Sequence, residues 1–199
     1  MGLSIYYTGM LRREQLPLLI SEVADICDDL YWPYQLIQPA RDFPIEGLTF
    51  SMPGAEKMWL TFLDDGRMSS PEHIISKAIA QRNGIPHDPA MMLNTVVQYA
   101  GPDAHMRMIR MLRYISNKYF SAFQMIDESE YWESGNEEKC RDWFIMFNMW
   151  MNNMSTGLTK LDGRGHENGE TYGLRLRELL RKGTPILKII DAVGDPMGE

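Results

Sequence analysis

A chain of 199 residues that is 44% hydrophobic, 24% charged and 11% aromatic has the material for a sizeable core, which excludes disorder on the scale of the whole chain. A formal net charge of −7 argues against a nucleic-acid partner met through bulk electrostatics. No apolar run approaches the ~20 residues of a transmembrane helix and the opening MGLSIYYTGMLRREQ carries no signal-peptide pattern, so the expectation is a cytoplasmic protein with no membrane partner.

Leu3–Tyr7 predicts a first strand ending at Thr8-Gly9. Leu16, Leu19, Ile20, Val23, Ile26, Cys27 and Leu30 then fall on one face of a helix, whose start is fixed near Glu14 or Gln15 because Pro17 fits only in a first turn. Tyr31–Ile37 predicts a second strand, at an edge or beginning after Pro33. Gly47–Met52 and Lys57–Leu63 predict an antiparallel hairpin about the turn Pro53-Gly54. Ser69 or Ser70 caps a short helix over His73–Gln81, with Pro71 in its first position and Asn83-Gly84 after it. Ile85–Ala90 reads as loop. Asn94–Tyr99 predicts a strand, Gly101-Pro102-Asp103 a turn, and Met108, Met111, Leu112, Ile115 and Tyr119 the buried face of the helix that follows. Ser121–Ile126 is the last strand. A long apolar helix runs from about Asn136 to Met154, with Trp143, Phe144, Phe147 and Trp150 at core spacing.

After Gly157 the composition changes. Leu161–Gly173 is polar and Gly-rich, Leu174–Lys182 and Ile186–Val193 are short helices, and GDPMGE is a tail. The order implies an α+β fold: a mostly antiparallel β-sheet of about six strands with helices packed on one face, plus a short helical C-terminal tail. Residues 1–157 form the single α+β domain and residues 158–199 the appendage. Cys27 and Cys140 lie in predicted helices outside any CxxC spacing and read as buried, reduced thiols. Most of the 16 methionines fall at positions that look buried, where Met fills irregular gaps; a Met-rich partner groove is the alternative.

Chemistry-bearing residues concentrate between Asn94 and Glu133. His105 sits in the first turn of its helix, where the macrodipole disfavours a charged imidazole, so a neutral base and a hydrogen-bonded core histidine are both open readings. Asp127-Glu128-Ser129-Glu130-Tyr131-Trp132-Glu133 holds four carboxylates in seven residues directly after a strand. Close carboxylates serve acid–base work or a divalent cation, but no EF-hand spacing is present. An acidic, aromatic loop also suits a surface that meets a basic protein, and a solvated helix cap is the plain alternative. Arg107, Arg110, Arg113 and Lys118 lie on the preceding helix and are expected to pair with that loop, an anion site being the other reading. His73, His87, His105 and His166 have no metal-site spacing, and the phosphate-loop, nucleophile-elbow and HExxH motifs are absent.

These residues resemble an uncharacterised family of bacterial cytoplasmic proteins. The likeness is carried by GLSIYYTG near the start, Trp59-Leu60-Thr61-Phe62 with Gly66, Gln98-Tyr99-Ala100-Gly101, His105, Leu112-Arg113-Tyr114-Ile115, Lys118-Tyr119-Phe120, and Asp127-Glu128 with Tyr131-Trp132-Glu133. It covers roughly residues 2–145. Members commonly carry Lys-Thr where this chain has Thr95-Val96 or its neighbours. The resemblance implies a bacterial, cytoplasmic protein and lends no activity.

The leading expectation is a non-enzymatic module that binds another, basic protein, in its specific form an immunity or antitoxin-like protein. The binding residues would be Tyr99, His105, Asp127, Glu128, Glu130, Tyr131, Trp132 and Glu133, with no cofactor and no metal. The alternative is a hydrolytic enzyme using His105 with Asp127, Glu128 or Glu130, which requires those groups to converge.

Overall fold

The computed structural model describes residues 3–86 and 92–162, with side chains as far as Asn153. In chain order the elements are β1 (Ser4–Leu11), α1 (Leu16–Asp29), β2 (Tyr34–Ile37), β3 (Glu46–Phe50), β4 (Met58–Phe62), α2 (Pro71–Arg82), β5 (Leu93–Val96), α3 (Gly101–Tyr119), β6 (Phe120–Asp127), α4 (Tyr131–Ser134) and α5 (Glu137–Asp162). The class is α+β, as expected. The Gly-rich run from residue 163 onward and the two C-terminal helices lie outside the described residues, as does most of the Ile85–Ala90 loop. Met1–Phe144 forms one compact unit and Ile145–Glu199 a second.

The strands form two sheets rather than one, which corrects the six-stranded expectation. The first has the order β5-β1-β6 and the second β2-β3-β4, each antiparallel throughout. The reason lies at the outer edge of β4. There the Tyr7 hydroxyl accepts from the Trp59 N–H (3.0 Å) and donates to the Trp59 carbonyl (3.2 Å). Farther along, Ser69 N–H reaches the Thr61 carbonyl at 2.9 Å. Both outward backbone groups of Trp59 are therefore taken by a side chain, and the Thr61 carbonyl by the chain's own return. Burial, outweighing its hydrogen bonds to Thr95 and Trp59, pushes the Tyr7 phenol up to about 12, so it stays a neutral donor at any physiological pH.

Two elements, β1 and α5, run farther than expected. β1 runs on through Thr8-Gly9 to Leu11. Gly9 is not a turn there but a packing gap: a Cβ at that position would come within 2.6 Å of the Phe120 ring. α5 continues past Met154 to Asp162, while β2 begins after Pro33 and lies at an edge of its sheet, as expected. Within the first unit, Leu16, Leu19, Val23 and Cys27 form the buried face of α1, which contacts β3 and α3. Four of the five residues of β3, the central strand, are buried, and the polar one among them, Thr49, donates its hydroxyl to the Met58 carbonyl at 2.7 Å. Of the four aromatics placed at core spacing on α5, Phe144 is buried and Trp143, Phe147 and Trp150 are half-buried. Cys27 and Cys140 are both buried free thiols, and burial followed by the Asp28 charge pushes the Cys27 thiol up to about 11.

A polar clamp joins α1 to α3. The Glu22 carboxylate accepts from Lys118 Nζ at 2.8 and 2.9 Å, from the Tyr114 hydroxyl at 2.6 Å and from the Tyr119 hydroxyl. These donors, Lys118 foremost, hold the carboxyl down at about 2. Because the folded value lies below the ordinary one, this stability is present above the unfolded carboxyl's range and is lost as pH falls toward 2. Glu22→Gln is expected to lower the urea midpoint modestly at pH 7, as suits a solvent-screened pair, and the gap to wild type should close on acidification. A gap that stays constant with pH would show that side-chain packing carries the link instead.

Candidate functional site

Strand alternation decides where the acidic run begins. On β6, Met125 and Asp127 point to the buried side and Ile126 points outward. Asp127 pairs with Ile5 in the ladder, so its carboxylate sits in the interior. A buried carboxylate is tolerated only when it is fully hydrogen-bonded. The chain supplies this locally. Ser129 N–H donates to Asp127 Oδ1 at 2.9 Å and the Ser129 hydroxyl donates to the same oxygen at 2.9 Å. Trp132 N–H donates to Oδ2 at 3.0 Å. The fourth donor comes from α3, whose first turns deliver His105 so that Nε2 lies 3.1 Å from Asp127 Oδ2. Burial opposes the charge on Asp127, yet the His105 ring and the two groups of Ser129 together hold its carboxyl below the usual range.

The His105 ring is also 2.9 Å from the Ser129 hydroxyl oxygen, again through Nε2. Its Nδ1 is buried without a hydrogen-bond partner, and the ring tilts against Phe144 with centroids 5.4 Å apart. The geometry fits the Nε2–H tautomer, which gives the one proton an acceptor. The Cys140 thiol, in the first turn of α5, approaches the Ser129 oxygen at 3.6 Å. Burial, partly offset by Ser129, raises that thiol's pKa.

This cluster meets one condition of a hydrolytic site and fails two others. His105 and Asp127 converge, but carboxylate and hydroxyl share a single ring nitrogen. A relay through imidazole needs them on opposite nitrogens. All four members are also closed to solvent, at 0% (His105), 3% (Asp127), 1% (Ser129) and 0% (Cys140) exposure. The arrangement serves to pin the β6–α4 corner to α3.

The rest of the acidic run covers that corner. Glu128 Oε2 accepts the Ser4 N–H at 2.7 Å. Glu130 adopts the left-handed conformation, with φ of 58°, and pairs with Lys139. Tyr131 is buried, its hydroxyl accepting from Arg110 Nε at 3.1 Å. The Arg113 guanidinium lies 5.2 Å from the Trp132 ring and donates to the Trp132 carbonyl at 2.5 Å. Arg110 also pairs with Glu137, and Arg141 with Asp103 at 2.6 Å. The expected contact between the arginine helix and the acidic loop therefore exists, but it runs mainly through the loop's aromatics and backbone. Glu133 is exposed, as is Tyr99 at 73%, which stands on a 3-10 turn (Gln98–Ala100) and not in the cluster.

Cys140 and Phe144 were expected to be buried, and they are, and Ser129 stood in the acidic run, but the sequence reading placed none of the three beside His105. A signal for Ser129 was present: an aspartate at a strand end followed two residues later by serine is the pattern of an Asx turn. Among the described residues, no group of three or more His, Cys, Asp or Glu side chains is placed to hold a metal ion. Comparison of the chain with protein-family models, curated proteins and solved structures found no match.

Proposed function

We propose that the chain is a non-enzymatic protein-binding module that meets a basic partner through the corner Glu128–Glu133, and that it acts as an immunity or antitoxin-like protein of a bacterial cytoplasm. The observation that supports this reading most is the foundation of the corner. A buried carboxylate with four protein donors fixes the turn before any partner arrives, so little ordering entropy remains to be lost on binding. On that foundation Glu128 and Glu133 face solvent beside half-buried Trp132, within a chain of net charge −7. Such a rim steers a basic protein and sets its orientation. The resemblance to bacterial cytoplasmic proteins points the same way. A hydrolytic role for His105 is disfavoured by its closure to solvent.

The test is titration of the purified chain against basic proteins encoded beside its gene. Micromolar or tighter binding is expected. Glu133→Lys should weaken it by about tenfold and flatten its salt dependence, as a rim charge does, whereas Glu14→Lys, on the 3-10 turn (Arg13–Gln15) between β1 and α1, should not. Absence of binding at micromolar concentration to every such neighbour would overturn the immunity reading.

A further inference from the structure

A second site lies away from that corner, where the start of β4, the first turn of α2 and the start of β5 meet. A cleft of about 520 Å³ opens there, lined by Glu56, Lys57, Trp59, Glu72, His73 and Asn94 around a floor that includes Leu93 and Ser70. Its volume falls in the range of about 300–1,000 Å³ typical of small-ligand sites. We propose that it binds a neutral polyhydroxylated ring, a monosaccharide or cyclitol, stacked on the Trp59 indole.

Three features of the lining carry this. Trp59 is half-buried and shares the apolar part of the lining with Met92 and Leu93, its indole being the broad flat plate of the three. The rim mixes signs: Glu56 and Glu72 are anionic, while Lys57 is cationic and holds its Nζ 5.9 Å from the Trp59 ring centroid. A ligand with net charge of either sign meets a like charge in this rim. A ring of vicinal hydroxyls does not, because each hydroxyl both donates and accepts. Carboxylates, a carboxamide and an ammonium together satisfy such a ligand, and its C–H face lies on the aromatic plate. A planar base, by contrast, presents its polar atoms in one plane and leaves most of this rim unused.

The walls are also held in place. Glu56 N–H donates to the Val96 carbonyl at 2.9 Å, and Glu56 Oε2 accepts the Val96 N–H at 3.3 Å. That leaves the other carboxylate oxygen for a ligand. Thr95 donates its hydroxyl to the Lys57 carbonyl at 3.3 Å, and the backbone of Trp59 is clamped by Tyr7 on both its N–H and its carbonyl. Ser70 caps α2 by accepting from the His73 N–H at 3.4 Å, which sets Glu72 in the first turn. The side chains that recognise the ring thus stand on backbone that does not have to rearrange.

The experiment is saturation-transfer NMR and calorimetry on the full chain with glucose, galactose, mannose, N-acetylglucosamine and myo-inositol. Spermidine, inorganic phosphate and adenosine complete the panel. At least one of the neutral polyols should bind with a Kd of about 1 mM or tighter, as suits a ligand of this size. Trp59→Ala and, separately, Glu72→Gln and Asn94→Ala should each weaken it by about tenfold or more, with the thermal midpoint of the two exposed-residue variants unchanged. If Trp59→Ala fails to fold, those two variants decide. No polyol binding below about 20 mM would overturn the proposal. So would polyol binding that survives the Glu72 and Asn94 substitutions, or occupation of the cleft by spermidine, phosphate or adenosine in preference to every polyol.

Discussion

Asp127→Ala is expected to cost about 3–5 kcal/mol in urea unfolding at pH 7, since several donors lose a buried acceptor at about 1–3 kcal/mol each. The substitution deletes the acceptor of four donors at once. His105 Nε2–H keeps the Ser129 oxygen at 2.9 Å, but the Ser129 hydroxyl and the N–H groups of Ser129 and Trp132 lose their acceptor, the first two in the closed interior. Asp127→Asn should cost less, because one oxygen remains to accept while the amide nitrogen faces donors. The two variants also differ from wild type in their response to acid. Since the folded carboxyl of Asp127 sits below its ordinary value, its contribution is complete above about pH 4 and disappears as pH falls through the lower folded value. Both variants should therefore lose less stability than wild type does on acidification from neutral pH. Loss of under about 1 kcal/mol for Asp127→Ala would mean that the corner rearranges to let water in, and that the network is not the foundation of the binding surface. A double-mutant cycle with His105→Phe separates the pair from its neighbours: truncating both should cost less than the sum of the two single changes.

How much of this was visible in the sequence depends on the distance over which the deciding interaction acts. α1 and α3 were legible because a helix announces its buried face every three to four residues, and Leu16, Leu19, Val23, Cys27, Met108, Leu112 and Ile115 all lie where that period puts them. The β3–β4 hairpin was legible because its turn chemistry is local. The split into two sheets was not, since it depends on the hydroxyl of Tyr7 reaching Trp59 across 52 positions of sequence. The same holds at the site. Composition marked Asp127–Glu133 as unusual, and His105 as a candidate, but not which carboxylate turns inward. Strand parity at β6 decides that, and a shift of one residue in its register would have buried Glu128 instead. Tyr99 was drawn into the candidate set by its nearness in sequence to His105, yet a 3-10 turn carries it outward. Glu22 and Lys118 form a clamp across 96 positions that neither segment reveals alone.

Gly66→Ala is expected to cost about 3 kcal/mol or more, and Gly84→Ala only about 1 kcal/mol, although both glycines have positive φ. The comparison isolates surroundings from backbone preference. At Gly84, φ is +66° and nothing lies within 4 Å of the position a Cβ would take. At Gly66, φ is +83° and a Cβ would stand 2.0 Å from the Leu11 carbonyl oxygen. That oxygen belongs to backbone and cannot swing aside. The turn must then move as a unit, and it is a joint of the fold. Leu11 N–H donates to the Gly66 carbonyl at 3.0 Å, Leu63 N–H to Arg67 at 2.9 Å, and Met68 N–H to Gly9 at 2.9 Å. Through these bonds and the Met10–Arg67 bridge, the chain leaving β4 is tied to the end of β1, so the second sheet is held to the first. Unseating the turn leaves several of these groups without partners, each at a cost of about 1–3 kcal/mol where water cannot replace them. Urea unfolding measures the total, and hydrogen exchange at the Leu11 amide reports whether the joint itself has opened. Equal costs for the two alanines would show that the Leu11 contact relaxes freely. The tie between the sheets would then rest on Tyr7 and Glu56, at the end of the interface where the polyol cleft lies.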